Sequence, residues 1–170
     1  MNPYLSVLVG EIKNRARIYA HIYRELSKEV GEDKATMILK KAIYARGEEK
    51  GEQLSDRIKT PDLHELAVAS VEGKGEMDAF GHEVVSENPD YLLLRLNRCP
   101  LVDAWKEAGI PPEGRKKMCD LAYQVDFGKF EAAGYRLTFD CRIADEQGSC
   151  DLRIEIGGPA PLPSSNSGPA

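Results

Sequence analysis

The sequence lacks most of the devices that announce a chemistry. It has four cysteines in 170 residues but no Cys-x-x-Cys pair, so neither a zinc knuckle nor a thioredoxin-type redox motif is written into it. There is no phosphate-cradling glycine loop, no Gly-x-Ser-x-Gly and no His-Glu-x-x-His, which removes the nucleotide-loop, serine-elbow and zinc-protease readings. Positive charge is in deficit: 23 Lys and Arg stand against 28 Asp and Glu, the net charge is −5 and the pI is near 5.3. Nucleic acids and anionic membranes call for a basic footprint, so neither is an expected partner. No apolar run approaches the ~20 residues of a membrane span. Residues Met1 to Gly10 have no preceding basic region and no following small-residue cleavage site, so no signal peptide is expected. The expected compartment is the cytoplasm, where the thiols stay reduced.

What is present suits one α+β domain. Hydrophobic residues make up 42% and charged residues 30%, ordinary values for a globular chain with one sizeable core. The domain is expected over residues 1–156. Residues 157–170 are Gly, Pro, Ser and Ala with almost no apolar mass, and are expected to be a disordered tail. Apolar residues at helical spacing predict a long helix over residues 3–30, carried by Leu5, Leu8, Ile12, Tyr19, Ile22, Leu26 and Val30. A second helix is predicted over 34–59, capped by Asp33. Gly47 and Gly51 sit four apart in it and share a face. They read either as a kinked, solvated helix end or as a place where another backbone comes close. A third helix follows Thr60-Pro61 and stops at Gly73-Lys74-Gly75. Strands at 80–86 and 91–98 flank the turn Glu87-Asn88-Pro89-Asp90. Helices are then predicted at 101–108 and 112–133, and two alternating strands at 135–143 and 150–156. The economical assembly places N-terminal helices against an antiparallel four-stranded sheet of two hairpins, with two helices between the hairpins.

All four cysteines, Cys99, Cys119, Cys141 and Cys150, follow residue 98. Cys99 opens a helix at a sharp strand-to-helix turn, where N–H groups favour a thiolate; the competing reading is a small buried hydrophobe. On the helix at 112–133, Cys119, Ala122, Tyr123, Asp126, Phe130 and Ala133 fall three or four apart. Asp126 on that apolar stripe is either a structural hydrogen-bond partner or a pocket acid or base. Cys141 is expected in the core. Cys99, Cys119 and Cys150 with Asp126 or His82 would suffice in number for zinc, but each comes from a different element. No metal and no cofactor is expected. Arg98, Arg142 and Arg153 are candidates to hold a carboxylate, with Arg142 and Arg153 expected on the polar face of the last hairpin.

Arg98-Cys99-Pro100, then Ala104-Trp105 and Gly109, then Cys119-Asp120, Asp126 and Gly134, then Gly148, Cys150 and Arg153, together with Gly47 and Gly51 in a charged run, resemble the L-2-amino-thiazoline-4-carboxylic acid hydrolase family from about residue 30 to 156. The turn Asp145-Glu146-Gln147-Gly148-Ser149 departs from the Gly-Asp-rich turn expected there. The resemblance implies a hydrolase that opens a small cyclic amidine bearing a carboxylate. The name-giving reaction yields N-carbamoyl-L-cysteine. On this reading the catalytic residues are Cys99, Asp126 and Cys119. Arg98, Tyr123, Trp105, Cys150 and Arg153 contact substrate, with Arg98 anchoring its carboxylate. Asp126 would activate water or protonate ring nitrogen, and Cys99 would serve as nucleophile. The expected partner is a small molecule, and the sequence leaves room for a homo-oligomer. The alternative is a non-enzymatic small-molecule or metal-binding sensor with the same helices over the same sheet.

Overall fold

The computed structural model describes residues 3–72 and 75–157. The tail expected beyond Gly157 and the break expected at Gly73-Lys74 lie outside the described residues. The described residues form helices α1 (Pro3–Val30), α2 (Glu32–Arg57), α3 (Leu63–Glu72) and the short α4 (Glu76–Phe80), then strands β1 (His82–Glu87) and β2 (Leu92–Leu96). Helices α5 (Pro100–Glu107), α6 (Pro112–Ala122) and α7 (Gln124–Ala132) follow, then β3 (Tyr135–Cys141), a 3-10 turn (Ile143–Asp145) and β4 (Cys150–Ile156). The fold is α+β, as the pattern of elements implies. The two hairpins join through β2 and β4 into one antiparallel sheet of order β1-β2-β4-β3. Both edge strands are bulged, β1 between Val84 and Ser86 and β3 between Phe139 and Cys141. Bulged edges resist pairing with a second sheet.

Helices α1 and α2 form a hairpin closed by Gly31, whose left-handed φ of 82° no larger residue adopts without strain. Asp33 lies inside the first turn of α2 and does not cap it. The buried side of α1 is narrower than the sequence suggests: Ile12 and Ala16 are buried, whereas Ile22 and Val30 are 41% and 38% exposed. Ala16 is small, and that lets Trp105 of α5 lie against the helix and donate its indole N–H to the Ala16 carbonyl at 2.9 Å.

The buried side of α2 is Ala35, Leu39, Ile43, Gly47 and Gly51, one residue every fourth position. It settles the two readings of the glycines, because α7 crosses there at backbone contact. A Cβ on Gly47 would collide with the Val125 carbonyl and lie 2.9 Å from Cα of Gly128. One on Gly51 would come within 2.5 Å of the Lys129 carbonyl and 2.6 Å of Cβ of Ala132. Only glycine permits that approach, and it fixes α7, the helix that carries Asp126. The Tyr44 hydroxyl of α2 donates to the Glu131 carboxylate of α7 beside the crossing.

The interior has two apolar clusters. One lies between the sheet and α3 and α7, and includes Leu66, Leu94, Phe130, Tyr135, Cys150 and Ile154. The other is all helical at its centre, with Ala16, Leu39, Ile43, Trp105, Met118 and Leu121. Ile143 packs against both, so the turn after β3 is the seam between them.

Three local features differ from the sequence reading. The helix expected over 112–133 breaks at Tyr123, which ends α6 and starts α7 with φ −71° and ψ −6°. Helix α4 inserts before β1. Most consequential, the bulge in β3 sets Asp140 and Cys141 opposite the single residue Asp151. Cys141 therefore faces out with Asp151 rather than into the core. The next residue, Arg142, turns inward instead of joining the polar face. A bulge re-aims the side chains that follow it.

Candidate functional site

The seam gathers the chemistry. Cys99 arrives as the first half-in residue of α5, in extended conformation with φ −138°, and Pro100 starts the helix. Cys119 comes from the last turn of α6. Cys150 begins β4, and its Sγ accepts the N–H of Ile143 at 3.2 Å. The three thiols lie within electrostatic reach of one another: Cys119 senses both Cys99 and Cys150, and Cys150 senses Asp126 of α7.

Burial, not the helix start, governs the thiols. Desolvation pushes Cys99 up to about 12, against the N–H groups of Val102 and Leu101, which favour the thiolate and are outweighed. Cys119 is also pushed up to about 12, by burial first and then by Cys99, with Arg142 opposing. Cys150 is raised chiefly by burial. The expectation of a lowered thiol at the strand-to-helix turn is therefore reversed. At neutral pH all three are uncharged donors.

Arg142 is the cation of this neighbourhood. Its Nε donates to Asp145 at 2.7 Å and its Nη1 to Asp120 at 2.6 Å. Its guanidinium carbon lies 5.3 Å from the centre of the Tyr123 ring, a cation–π contact. Desolvation works against its charge, but Asp145 and Asp120 more than offset that and hold it protonated. The turn that carries it is tightly bonded, with the Asp145 N–H on the Arg142 carbonyl at 3.0 Å and the Glu146 N–H on the Ile143 carbonyl at 3.1 Å. Tyr123 stacks edge-on with Phe127 at 5.1 Å and tilts against Phe139 at 5.3 Å, closing the apolar side. Burial raises its phenol, reinforced by Asp120.

Other residues singled out from the sequence are placed differently. Arg98 directs its guanidinium at the carbonyls of Ala79 and Asp78, where it closes the end of α4. Trp105 is fully buried and anchors α5 on α1. Arg153 lies on the outer face of the sheet, forked onto Asp140 and stacked 4.2 Å from the Tyr91 ring centre. Asp126 is half-buried on α7 within electrostatic reach of Cys150. His82 opens β1, and burial, helped by Lys129, lowers its pKa. Among the described residues no three His, Cys, Asp or Glu side chains close to metal-binding distance, so the thiols share a neighbourhood without forming a ligand cage. Two surface depressions lie elsewhere, along α1 at His21, Ile22 and Leu26, and beside Thr60 to Asp62. The first is a nearly apolar strip of helix surface and the second a loop; neither brings together groups that could act on a bond.

The sequence reading named Arg142 as a candidate for a carboxylate but set it on the polar face of the last hairpin, and it gave Asp120 and Asp145 no role at the site. The alternation from Tyr135 to Ile143 runs through the bulge without a visible break, and Asp140 is not a residue that signals one. The available hint was Asp120 itself, one turn of helix before Tyr123.

The chain matches known proteins at the family level. A sequence model described as L-2-amino-thiazoline-4-carboxylic acid hydrolase matches residues 11–154. A search of curated proteins finds no match. The matched region runs from α1 to β4 and contains every residue of the seam. Among the described residues no helix is long and apolar enough to cross a membrane.

Proposed function

The chain belongs to the L-2-amino-thiazoline-4-carboxylic acid hydrolase family, and from that premise we propose that it opens a small cyclic amidine bearing a carboxylate by adding water. The observation that carries this reading is the convergence of Cys99, Cys119, Cys150, Asp126 and Arg142 on one seam from five different elements. In the reaction, the oxygen of water bonds to the amidine carbon and the carbon–sulfur bond of the ring breaks. The electron pair of that bond leaves on sulfur; one water proton ends on that sulfur and the other on the ring nitrogen, whose double bond to the amidine carbon is lost, as the ring opens to a carbamoyl group and a free thiol. Asp126 is the base that takes the proton from water and then returns it to the departing sulfur. Direct addition of water is favoured over attack by Cys99, because a thiol pushed up to about 12 is protonated at neutral pH and needs a base before it can act. Cys99, Cys119 and Cys150 then form an uncharged, polarisable wall for the ring.

Thiol release from 2-amino-thiazoline-4-carboxylate by wild type, Asp126→Asn and Cys99→Ala tests this. Loss of roughly 100-fold or more in Asp126→Asn with its melting curve intact, and a smaller loss in Cys99→Ala, is the expected result. Equal turnover in wild type and Asp126→Asn would remove Asp126 from the chemistry. A second reading, a binding module without turnover, draws support from the same neutral thiols: a site that keeps every sulfur protonated suits reversible binding. Tight binding of the amidine with no thiol released would favour it.

A further inference from the structure

We propose that Arg142, rather than Arg98 or Arg153, is the residue that recognises the carboxylate of the substrate, and that Asp120 and Asp145 occupy its place when the site is empty. This rests on the hydrolase reading for the identity of the substrate, but not for the existence of an anion subsite.

The contrast among the arginines is geometric. Arg95 gives Nε and Nη2 to the two oxygens of one carboxylate, Asp151, at 2.7 and 2.6 Å. Arg153 also closes on a single carboxylate, Asp140, with Nε and Nη2 converging on Oδ2 at 3.2 and 2.7 Å and Nε reaching Oδ1 at 3.3 Å. A fork closed on one planar carboxylate is a finished bond with no ligand role left for that edge. Arg142 is different. It meets two separate carboxylates by single contacts, one from α6 and one from its own turn. Both of those partners reach solvent, with Asp120 41% and Asp145 32% exposed, while Arg142 is only 20% exposed. Each acid can therefore turn to water at little cost, whereas the guanidinium cannot follow. What remains is a charged, planar fork held on the Tyr123 ring and within electrostatic reach of the Cys119 and Cys150 thiols. A ligand carboxylate that displaces the acids gains a bidentate, charge-assisted pair next to the proposed reacting groups. Arg98 offers nothing comparable, because the carbonyls at the end of α4 hold it.

The test uses 2-amino-thiazoline-4-carboxylate and its 4-carboxamide, with binding followed by calorimetry and turnover by thiol release. Wild type is expected to prefer the carboxylate. Arg142→Lys keeps the charge but loses the fork, and should lower that preference by about 10- to 100-fold, as loss of a charge-assisted pair implies; Arg153→Lys should leave it where it is. Asp120→Asn removes a competing acid and should raise the preference several-fold, which covers the case in which Arg142→Lys fails to fold. A preference that is absent in wild type, unmoved in Arg142→Lys, or unmoved or lowered in Asp120→Asn overturns the proposal. Carboxylate binding that depends on Arg142 without any turnover would sink the hydrolase reading and leave the subsite standing. Turnover indifferent to Arg142 would do the reverse, and no binding and no turnover of either compound would sink both.

Discussion

The two faces of the β3–β4 hairpin carry the same kinds of residue and use them in opposite ways. On the outer face, Arg95 pairs with Asp151, Arg153 with Asp140, and Cys141 lies against the Ser149 carbonyl and hydroxyl at 3.5 and 3.6 Å. The Arg95 and Arg153 forks are each matched to one acid, and the set forms a ladder across neighbouring strands. On the inner face, Arg142 is shared between two acids, and burial holds Cys99, Cys119 and Cys150 as thiols. One surface is satisfied; the other can exchange partners. The inventory of side chains does not distinguish them. The single extra residue of the bulge does, since it assigns Cys141 to one face and Arg142 to the other.

The largest expected effect comes from giving that extra residue a partner. Insertion of one alanine between Asp151 and Leu152 would let Asp140 pair, restore strict alternation, swing Arg142 outward and drive Cys141 inward. Asp120 and Asp145 would lose their partner and Asp151 would turn away from Arg95, and breaking such pairs in a partly buried setting costs about 3 kcal/mol or more. A urea midpoint close to that of wild type would show that the strand slips elsewhere and that the bulge does not aim Arg142. Next in size is a paired substitution. Arg142→Met leaves two acids facing apolar surroundings and should cost roughly 1–3 kcal/mol, limited because both acids can hydrate. Arg153→Met, on the exposed ladder, should change stability no more than ordinary surface substitutions do. Equal losses in the two variants would erase the distinction between the faces.

The faces should also differ in the sign of their pH dependence. The Cys99 thiol is raised from an ordinary 9.0 to about 12. Its contribution is fully present below pH 9 and is lost as pH climbs towards 12, because the unfolded chain gives up its proton first. Asp151 is lowered from an ordinary 3.8, chiefly by Arg95. Its contribution is present above that value and is lost as pH falls. Urea midpoints against pH should therefore lose part of the alkaline fall in Cys99→Ala and part of the acid fall in Asp151→Asn. An alkaline arm unchanged in Cys99→Ala would mean that the thiol is solvated.

How much of this was legible in the sequence follows from the range of each signal. Period-two alternation placed β4 at 150–156, its observed span, and the α+β class followed from the order of elements. The clustering of cysteines after residue 98 pointed to the half of the chain that holds the seam. Gly47 and Gly51 were visible as a pair, but whether a backbone crosses them depends on Gly128, more than 70 residues away. Arg98 and Trp105 were conspicuous beside Cys99, yet sequence adjacency says nothing about direction: one points to α4 and the other to α1. The thiol at a helix start was read from a local rule, and the surrounding burial overrode it. Arg142 was visible as a carboxylate candidate but read onto the polar face, since a bulge needs no particular residue and leaves the alternation looking intact.

The smallest effect concerns the turn that presents Arg142. Glu146 is the only residue other than glycine with a left-handed φ among the described residues, at 63°. It follows the 3-10 turn, and the Gln147 N–H beyond it reaches back to the Arg142 carbonyl at 3.4 Å. An L-residue there costs about 1–2 kcal/mol, which Glu146→Gly would relieve. Glycine also widens the unfolded ensemble, by about 0.5–1 kcal/mol. The ion pair lost is weak, 3.9 Å from Arg115 with Glu146 71% exposed, and contributes little. The terms nearly cancel, so Glu146→Gly should move the urea midpoint by an amount equivalent to about 0.5 kcal/mol or less. A loss well beyond that would mean that the Glu146 side chain itself holds the turn, through Arg115, and that the inner face is braced by a surface contact as the outer face is.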